Sequence, residues 1–375
     1  MKELTYKILD SVKQIQKSEW DALFGDITEG YEFFKTIEES NLKEFSFSYI
    51  LIYEGEKIRL IAPLFSADFN LDIAVEGMVR KLIQGMRKFI PRFMILKTLF
   101  CGSPFGENGI LGIRVDPETK NILIFELVKI AGVICEQKNT PLIIFKDFLK
   151  ADLSILEPLK AKGFFLAGSF PSVTMELDFN SLEDYLKSLS HNTRKDLRRK
   201  MKKAQSSGLI EVKITTDIKN IIEDIYRLYL NTYNASSVKF EKLTKEFFLN
   251  ITSYMPSQAK FFLYYLDGKL AAFNLCFVYK DALIDKFIGF DYEMAYKYNL
   301  YFFSWCYNIE WCLKNSIRYY QVGQTDYYPK LKLGGRIVPL YAYVKHCHPI
   351  SNLILKLLAK IFRPASFDEN TNLNA

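Results

Sequence analysis

Histidine is scarce: His191, His346 and His348 are the only three in a chain of 375 residues. The six cysteines (101, 135, 276, 306, 312 and 347) form no CxxC pair. Spacing therefore assembles neither a zinc site nor a redox dithiol motif. His346 and His348 flank Cys347 on an expected strand, but no third ligand joins them, and no metal is expected. The nucleophile elbow GxSxG, the Walker phosphate loop and a GxGxxG after a strand are missing too. These absences point to a reaction that needs neither a covalent enzyme intermediate nor a metal. No run of about 18 apolar residues is present to span a bilayer. The start "MKELTYKILDS" has no apolar signal-peptide core, so a reducing, cytoplasmic setting is expected, with the thiols mostly buried and free.

What is present is ordinary globular composition, 49% hydrophobic and 25% charged, with Lys plus Arg at 50, Asp plus Glu at 43 and a net charge of +7. The length allows two or three domains. The positive charge is local. "LSHNTRKDLRRKMKKA" (189–204) sets seven cations against one acid, Asp196. Leu197, Met201 and Ala204 give it a narrow apolar stripe, so it reads as a surface helix. Its cationic arc is either a solvated face or a docking face for nucleotide phosphates, RNA or anionic lipid. Gly77–Lys97 holds six cations and no acid. There Val79, Leu82, Ile83, Met86, Phe89 and Ile90 oppose Arg80, Lys81, Arg87 and Lys88. Residues 351–364 repeat the design, with Leu353, Leu357, Leu358 and Ile361 against Lys356, Lys360 and Arg363. Such helices either pack their stripe on a core or lie in a membrane interface.

Helix and strand patterns alternate along the chain. Helices are expected at 18–24, 30–42, 75–90, 119–137 and 152–162, with strands at 47–66 (two), 94–100, 110–115 and 141–148. The second half repeats the order. A strand at 172–179 leads to helices at 182–189 and 191–206, with Ser181 and Ser190 as N-caps and Gly208 as a stop. Strand 210–216, helices 219–233 and 244–254, three strands over 260–291, a helix near 299–314 and the strand "RYYQVGQ" complete it. "YILIYEGEKIRLIAPLF" (49–65) and "FFLYYLDGKLAAFNLCF" (261–277) are alike, which suggests a duplicated α/β unit. The tail "DENTNLNA" reads as disordered.

Candidate chemistry gathers in 285–335. The strand "IDKFIGFD" ends at Asp291 and feeds a helix that starts near Asn299, the kind of helix N-terminus that receives phosphates. Lys297, Tyr298 and Asn299 are therefore candidate donor contacts. The strand "RYYQVGQ" then delivers Asp326, Tyr327 and Tyr328, followed by Lys330 and Lys332. An acid, tyrosines and lysines at neighbouring strand ends are the parts of a proton-transfer site beside a phosphate-bearing cosubstrate. Asp291 or Asp326 is the candidate base, Tyr327 or Tyr328 the proton donor, and Lys330 and Lys332 the anion contacts.

Several segments resemble the FemAB-type branch of the GNAT acyltransferase superfamily, with its CelD-like acetyltransferases. They are "SLEDYLKSLSHNTRKDLRRKMKKA", "FIGFDYEMAYKYNL" and "YYQVGQTDYYPKLKLGG", with "LFCGSPFGENGIL", "LIIFKDF" and "LKAKGFF" upstream. The resemblance spans roughly residues 1–345. It implies tandem GNAT-like domains sharing an interface, each a mixed, mostly antiparallel sheet flanked by helices, at 1–170 and 171–348. Residues 349–375 would be a basic helix and tail. It also implies an N-acyltransferase moving an acyl group, acetyl or another, from acyl-CoA to an amine, on a small molecule or a cell-envelope precursor. "YKYNLYFF" departs from the Q/R-x-x-G-x-G/A loop of GNAT enzymes, because it has no glycine. Fem transferases use aminoacyl-tRNA instead, which a basic helix would suit, so an aminoacyl-tRNA-dependent transferase is an alternative. A catalytically silent binder of an anionic lipid or polysaccharide precursor is another. DNA is not an expected partner, and peripheral contact with the inner face of an anionic membrane is an alternative to plain packing of those helices on the core.

Overall fold

The computed structural model describes residues 3–74, 77–114, 117–206, 210–236 and 239–361. Along the chain come Leu4–Leu9 (β1), Lys17–Phe24 (α1), Tyr31–Glu38 (α2), Ser46–Glu54 (β2) and Lys57–Asn70 (β3). Gly77–Met86 (α3), Ile95–Cys101 (β4), Gly112–Ile113 (β5), Pro117–Lys138 (α4), Leu142–Leu149 (β6), Leu153–Leu156 (α5) and Phe165–Gly168 (β7) follow. The next stretch holds Ser172–Glu176 (β8), Leu182–Ser188 (α6), His191–Ser206 (α7), Ile210–Thr215 (β9), Ile222–Ala235 (α8) and Lys245–Tyr254 (α9). Then come Ala259–Leu266 (β10), Lys269–Tyr279 (β11), Ala282–Phe290 (β12), Tyr292–Tyr298 (α10), Leu300–Lys314 (α11) and Tyr319–Gln321 (β13). Tyr327–Lys332 (α12), Arg336–Val338 (β14), Leu340–His346 (β15) and Pro349–Ile361 (α13) close the list.

The chain folds as two compact units, one built from residues up to Glu38, Leu42–Pro171 and those from Pro339 on, the other from Glu39–Asn41 and Ser172–Val338. The first sheet runs β1-β2-β3-β4-β6-β15-β7, with β5 beside β3, and the second runs β14-β8-β13-β12-β11-β10-β9. Among the described residues, only β4 with β6 and β12 with β13 pair in parallel. Both sheets are thus mixed, mostly antiparallel and helix-flanked. They also share a plan: three antiparallel-paired strands lead to the parallel pair, and two more strands follow. The hairpins β2–β3 and β10–β11 hold equivalent places, so the two similar segments are structural counterparts.

One boundary differs from the sequence expectation. Residues 339–348 do not stay with the second half: β15 inserts between β6 and β7, with Val344 opposite Ile144 and Phe165. Leu340, Ala342 and Tyr343 are buried there, and the open edge of β6, not sequence proximity, decides where this apolar strand pairs. Only His346 lies on that strand; Cys347 and His348 fall beyond its end. Gly208 and residues 362–375, including Arg363 and the expected disordered tail, lie outside the described residues, as do the Val79, Lys360 and Ile361 side chains. Among the described residues, no helix is long and apolar enough to cross a membrane.

Each sheet buries a helical cover. In the first unit, Leu123, Leu127, Ile130 and Ile134 of α4 pack on Ile50, Leu60, Leu99 and Ile143. In the second, α11 gives Leu300, Trp305, Cys306, Ile309 and Cys312 to a core that also takes Leu197 and Ala204 of α7. Each large side chain so buried contributes about 1.5–3 kcal/mol. The other face of that sheet packs aromatic rings, with Phe248 on Phe273 and Phe247 on Phe287. The expected caps are present. The Ser181 hydroxyl accepts from the Asp184 N–H at 3.2 Å, and Ser190 accepts from Thr193 N at 3.3 Å. Helix α7 lies against α11, with Leu197 and Ala204 in the same core.

Candidate active site

The second sheet splits at its parallel pair. Residues 282–284 of β12 run beside 319–321 of β13, and no pairing is made beyond Ile284 and Gln321. Past that level, β13 turns to β8, where Val322 N donates to Val173 O at 2.9 Å and Val173 N to Gly323 O at 3.1 Å. Strand β12 continues to Phe290 along β11. Asp285 is the first residue above the split. A β-bulge follows it on β12, since Cys276 pairs with Asp285 but Leu275 pairs with Phe287. The extra residue, Lys286, shifts the side-chain alternation, so Leu283, Asp285, Ile288 and Phe290 all face the α11 side.

Asp285 is held by a polar network in an otherwise apolar layer. Asn274 Nδ2 donates to its Oδ2 at 2.7 Å, and the Tyr320 hydroxyl donates to the same oxygen at 3.1 Å. Behind them, Asn308 Nδ2 donates to Tyr320 Oη at 3.0 Å and Asn308 Oδ1 accepts from the Tyr264 hydroxyl at 2.8 Å. Loss of hydration pushes the Asp285 carboxyl up to about 6, against the opposing pull of the Asn274 and Tyr320 hydrogen bonds and the nearby Lys330 charge. The residue still keeps a solvent-facing edge. A carboxyl of that strength is ionised at neutral pH and basic enough to take a proton.

Two buried polar atoms beside it have no hydrogen-bond partner among the described residues, the Tyr301 hydroxyl and Asn274 Oδ1. Tyr301 lies in the first turn of α11. Burial raises its phenol pKa, and the charges of Asp285 and Asp326 raise it further, so it stays protonated as a donor. Burying a hydroxyl unpaired costs about 1–3 kcal/mol, and such orphans in native proteins call for an explanation; a ligand polar group is one. Lys330 completes the cluster. It is 8% exposed, and its Nζ donates to Thr325 O at 2.5 Å. Helix α12 is pinned by close backbone approach: a Cβ on Gly335 would lie 2.9 Å from Lys330 O and 2.6 Å from Val173 Cγ1. In the first sheet, the equivalent end of the parallel pair is occupied by a loop, with Lys146 Nζ donating to Ser103 O at 3.0 Å.

The residues singled out from sequence fall in three groups. Lys330 stands at the Asp285 cluster. Asp326 and Tyr327 lie nearby at the head of α12: Asp326 is exposed in a left-handed conformation, φ 51°, and the Tyr327 hydroxyl donates to Gln324 O at 2.5 Å. Tyr328 is exposed, with Lys332 Nζ 4.4 Å from its ring centre. Asp291 caps α10, accepting from Met294 N at 3.2 Å, and Arg227 approaches it at 3.8 Å. Lys297 is exposed, 5.2 Å from the Tyr298 ring, and Asn299 (φ 53°) joins α10 to α11. Sequence reasoning passed over Asp285, Tyr301, Asn274 and Tyr320. The available signal was an acid inside the apolar run "ALIDKFIGF". Among the described residues, no group of His, Cys, Asp and Glu could hold a metal.

The basic helix α7 borders this region. Lys200 Nζ lies 3.5 Å from the Phe302 ring centre, in the first turn of α11, and 2.7 Å from Asp196. Arg198 pairs with Glu183 and Arg199 with Asp196, so part of the cationic run is neutralised locally. Lys195 and Lys202 are exposed.

Comparison with known proteins adds three findings. The profile of the FemAB-like family, described as peptidoglycan biosynthesis/recognition, matches residues 126–345, well over half of the chain. A Mycobacterium tuberculosis protein with the provisional name 8-amino-7-oxononanoate synthase 2 is 24% identical over 354 residues, 91% of this chain and 45% of the relative. The chain therefore spans about half the length of the curated relatives it matches. Among solved structures, FemX superposes with a TM-score of 0.54 at 13% identity, covering 91% of this chain and 98% of that one. A tandem GNAT protein from the clavulanic acid biosynthesis pathway superposes with a TM-score of 0.51 at 9% identity, over 92% and 99%.

Proposed function

The chain belongs to the FemAB-like family, and from that premise we propose that it is a Fem-type transferase on a GNAT-like fold, moving an acyl or aminoacyl group from a phosphate-bearing carrier to an amine on a cell-envelope precursor. The observation that carries this reading is Asp285, its carboxyl raised to about 6 where β12 and β13 part, beside the unpartnered hydroxyl of Tyr301.

In this mechanism the donor's acyl carbon lies in the split, near Asp285 and Tyr301. The acceptor nitrogen attacks it directly and a C–N bond forms. Asp285 takes the proton that the nitrogen sheds. Its partners Asn274 and Tyr320 hold the carboxylate in one orientation and steady its charge. The tetrahedral oxyanion then collapses, the bond from carbon to carrier oxygen or sulfur breaks, and the Tyr301 hydroxyl supplies a proton to the departing carrier. Lys330 holds positive charge at the cluster, which favours the oxyanion. The carrier's phosphates would meet the positive dipole end at the head of α11, with Lys297 and Lys332 as charge-assisted contacts.

Acyl-CoA and aminoacyl-tRNA both offer that chemistry. The glycine-free junction at Tyr298–Leu300 and the basic helix α7 beside it favour the RNA ester, because side chains rather than closely approaching backbone would hold the phosphates. Titration calorimetry with acetyl-CoA, with longer acyl-CoAs and with aminoacylated tRNA separates the carriers. Saturable binding of one class that weakens when Lys297 and Lys332 are changed to Glu supports the site. Saturable binding of neither class leaves the silent binding protein in its place.

A further inference from the structure

Helix α3 is mounted inside out. Its charged face, not its apolar one, is turned to the protein. Arg87 Nη2 donates to Asp72 Oδ1 at 2.7 Å and Arg87 Nε to Phe93 O at 2.9 Å. Arg80 approaches the same carboxylate at 3.7 Å, and Gln84 Nε2 donates to it at 3.3 Å. Asp72 itself is 2% exposed. Residues 80, 84 and 87 share one helical side with buried Ile83, and their common anchor leaves the opposite side outward. That side carries Met78 at 86%, Leu82 at 65% and, in the turn that follows, Phe89 at 87% exposure, with Ile90 next to it. Lys81 and Lys88, both exposed, flank these side chains, and no acidic residue lies anywhere in Gly77–Lys97.

We propose that this segment is a docking surface for the headgroup region of an anionic phospholipid bilayer. A soluble surface does not ordinarily present a large aromatic and two large aliphatic side chains on one helical face while turning arginines inward. A bilayer interface takes both features at once, the apolar side chains entering the acyl boundary and the lysines remaining among phosphates. Charge decides between lipid and a second copy of the chain, since two such lysine-flanked, acid-free faces repel one another. Helix α13, in the same unit, adds a second exposed stripe at Ile350, Leu353, Ile354 and Leu357, with Lys356 exposed beside it. The proposal is independent of the transferase chemistry, because it concerns residues outside the Asp285 cluster.

The test is flotation of the full chain with vesicles of phosphatidylglycerol mixed into phosphatidylcholine, against vesicles of phosphatidylcholine alone, at low and high salt, with the oligomeric state followed by light scattering. Recovery with the anionic vesicles at low salt is expected, fading as salt is raised. The triple variant Leu82→Ser, Phe89→Ser, Ile90→Ser should stay in the soluble fraction while keeping its far-UV circular dichroism. Lys81→Gln and Lys88→Gln should each lower vesicle affinity about fivefold, the factor that about 1 kcal/mol per surface cation represents. A chain that never floats overturns the proposal. So does flotation that the apolar triple variant leaves unchanged, and so does a dimer that this variant dissociates without any vesicle binding.

Discussion

The Tyr320 hydroxyl donates to Asp285 Oδ2 at 3.1 Å from the neighbouring parallel strand, one residue past the last pairing of Leu283 with Tyr320 and Ile284 with Gln321. The two strands separate at this bond, and the carboxylate stands at the mouth of the gap. A buried acid so placed is costly to the fold and useful to chemistry.

That cost is measurable. With its pKa raised to about 6 from an ordinary value near 4, Asp285 binds its proton more tightly in the folded chain than in the unfolded one. Stability therefore falls as pH rises from about 4 to 6, and at pH 7 the charged form is a net burden. Asp285→Asn should raise stability at pH 7 by roughly 1–3 kcal/mol and leave it almost unchanged near pH 4. Thermal melts at the two pH values check this; an equal or lowered midpoint at pH 7 counts against the buried charge.

Tyr301→Phe removes a hydroxyl that bonds to nothing among the described residues. Stability should hold or rise by up to about 1 kcal/mol, while transfer falls by about 10-fold or more if the proton goes to the departing carrier. Loss of folding together with activity would make the hydroxyl structural.

Lys330 draws the Asp285 carboxyl downward by its charge. Lys330→Met should therefore move the acid limb of the pH–rate profile to higher pH as well as slow transfer. A slower enzyme with an unmoved limb would place Lys330 apart from the base.

Cys347 is exposed, and the neighbouring Cys135 thiol and the Lys345 charge pull its own thiol down. Burial pushes Cys101, Cys276, Cys306 and Cys312 up. Iodoacetamide at pH 7 should label Cys347 first, and faster than an ordinary exposed thiol. Intact-mass and peptide mapping read the result; an adduct appearing first on a buried cysteine contradicts it.

Periodicity reveals most of the elements, because amphipathic stripes such as Leu197, Met201 and Ala204 and capping serines such as Ser190 are local facts. The duplicated hairpins were readable for the same reason. Long-range pairing was not. Strand β15 follows the second half in sequence but completes the first sheet, since what decides its place is the open edge of β6. At the site, Asp326, Tyr327 and Lys330 were visible as polar residues after a strand, whereas Asp285 was hidden by its own strand. Its significance depends on the bulge at Lys286 and on where β13 leaves β12, and neither is encoded in local spacing. Asp291 looked like a strand-end acid and serves as a helix cap. Helix α3 shows the limit of amphipathicity itself: the pattern marks two faces, and only Asp72, held by Arg80 and Arg87, tells which one turns inward.

Acyl or aminoacyl transfer to an amine, followed as amide product across pH for the wild-type chain and for Asp285→Asn, tests the central claim most directly. The wild type should accelerate as pH rises through about 6 and then plateau. The variant should be slower by about 10²-fold or more and should lose that limb. An Asp285→Asn enzyme with wild-type turnover and the same limb would contradict the assignment of Asp285 as the base and move the chemistry away from the split between β12 and β13.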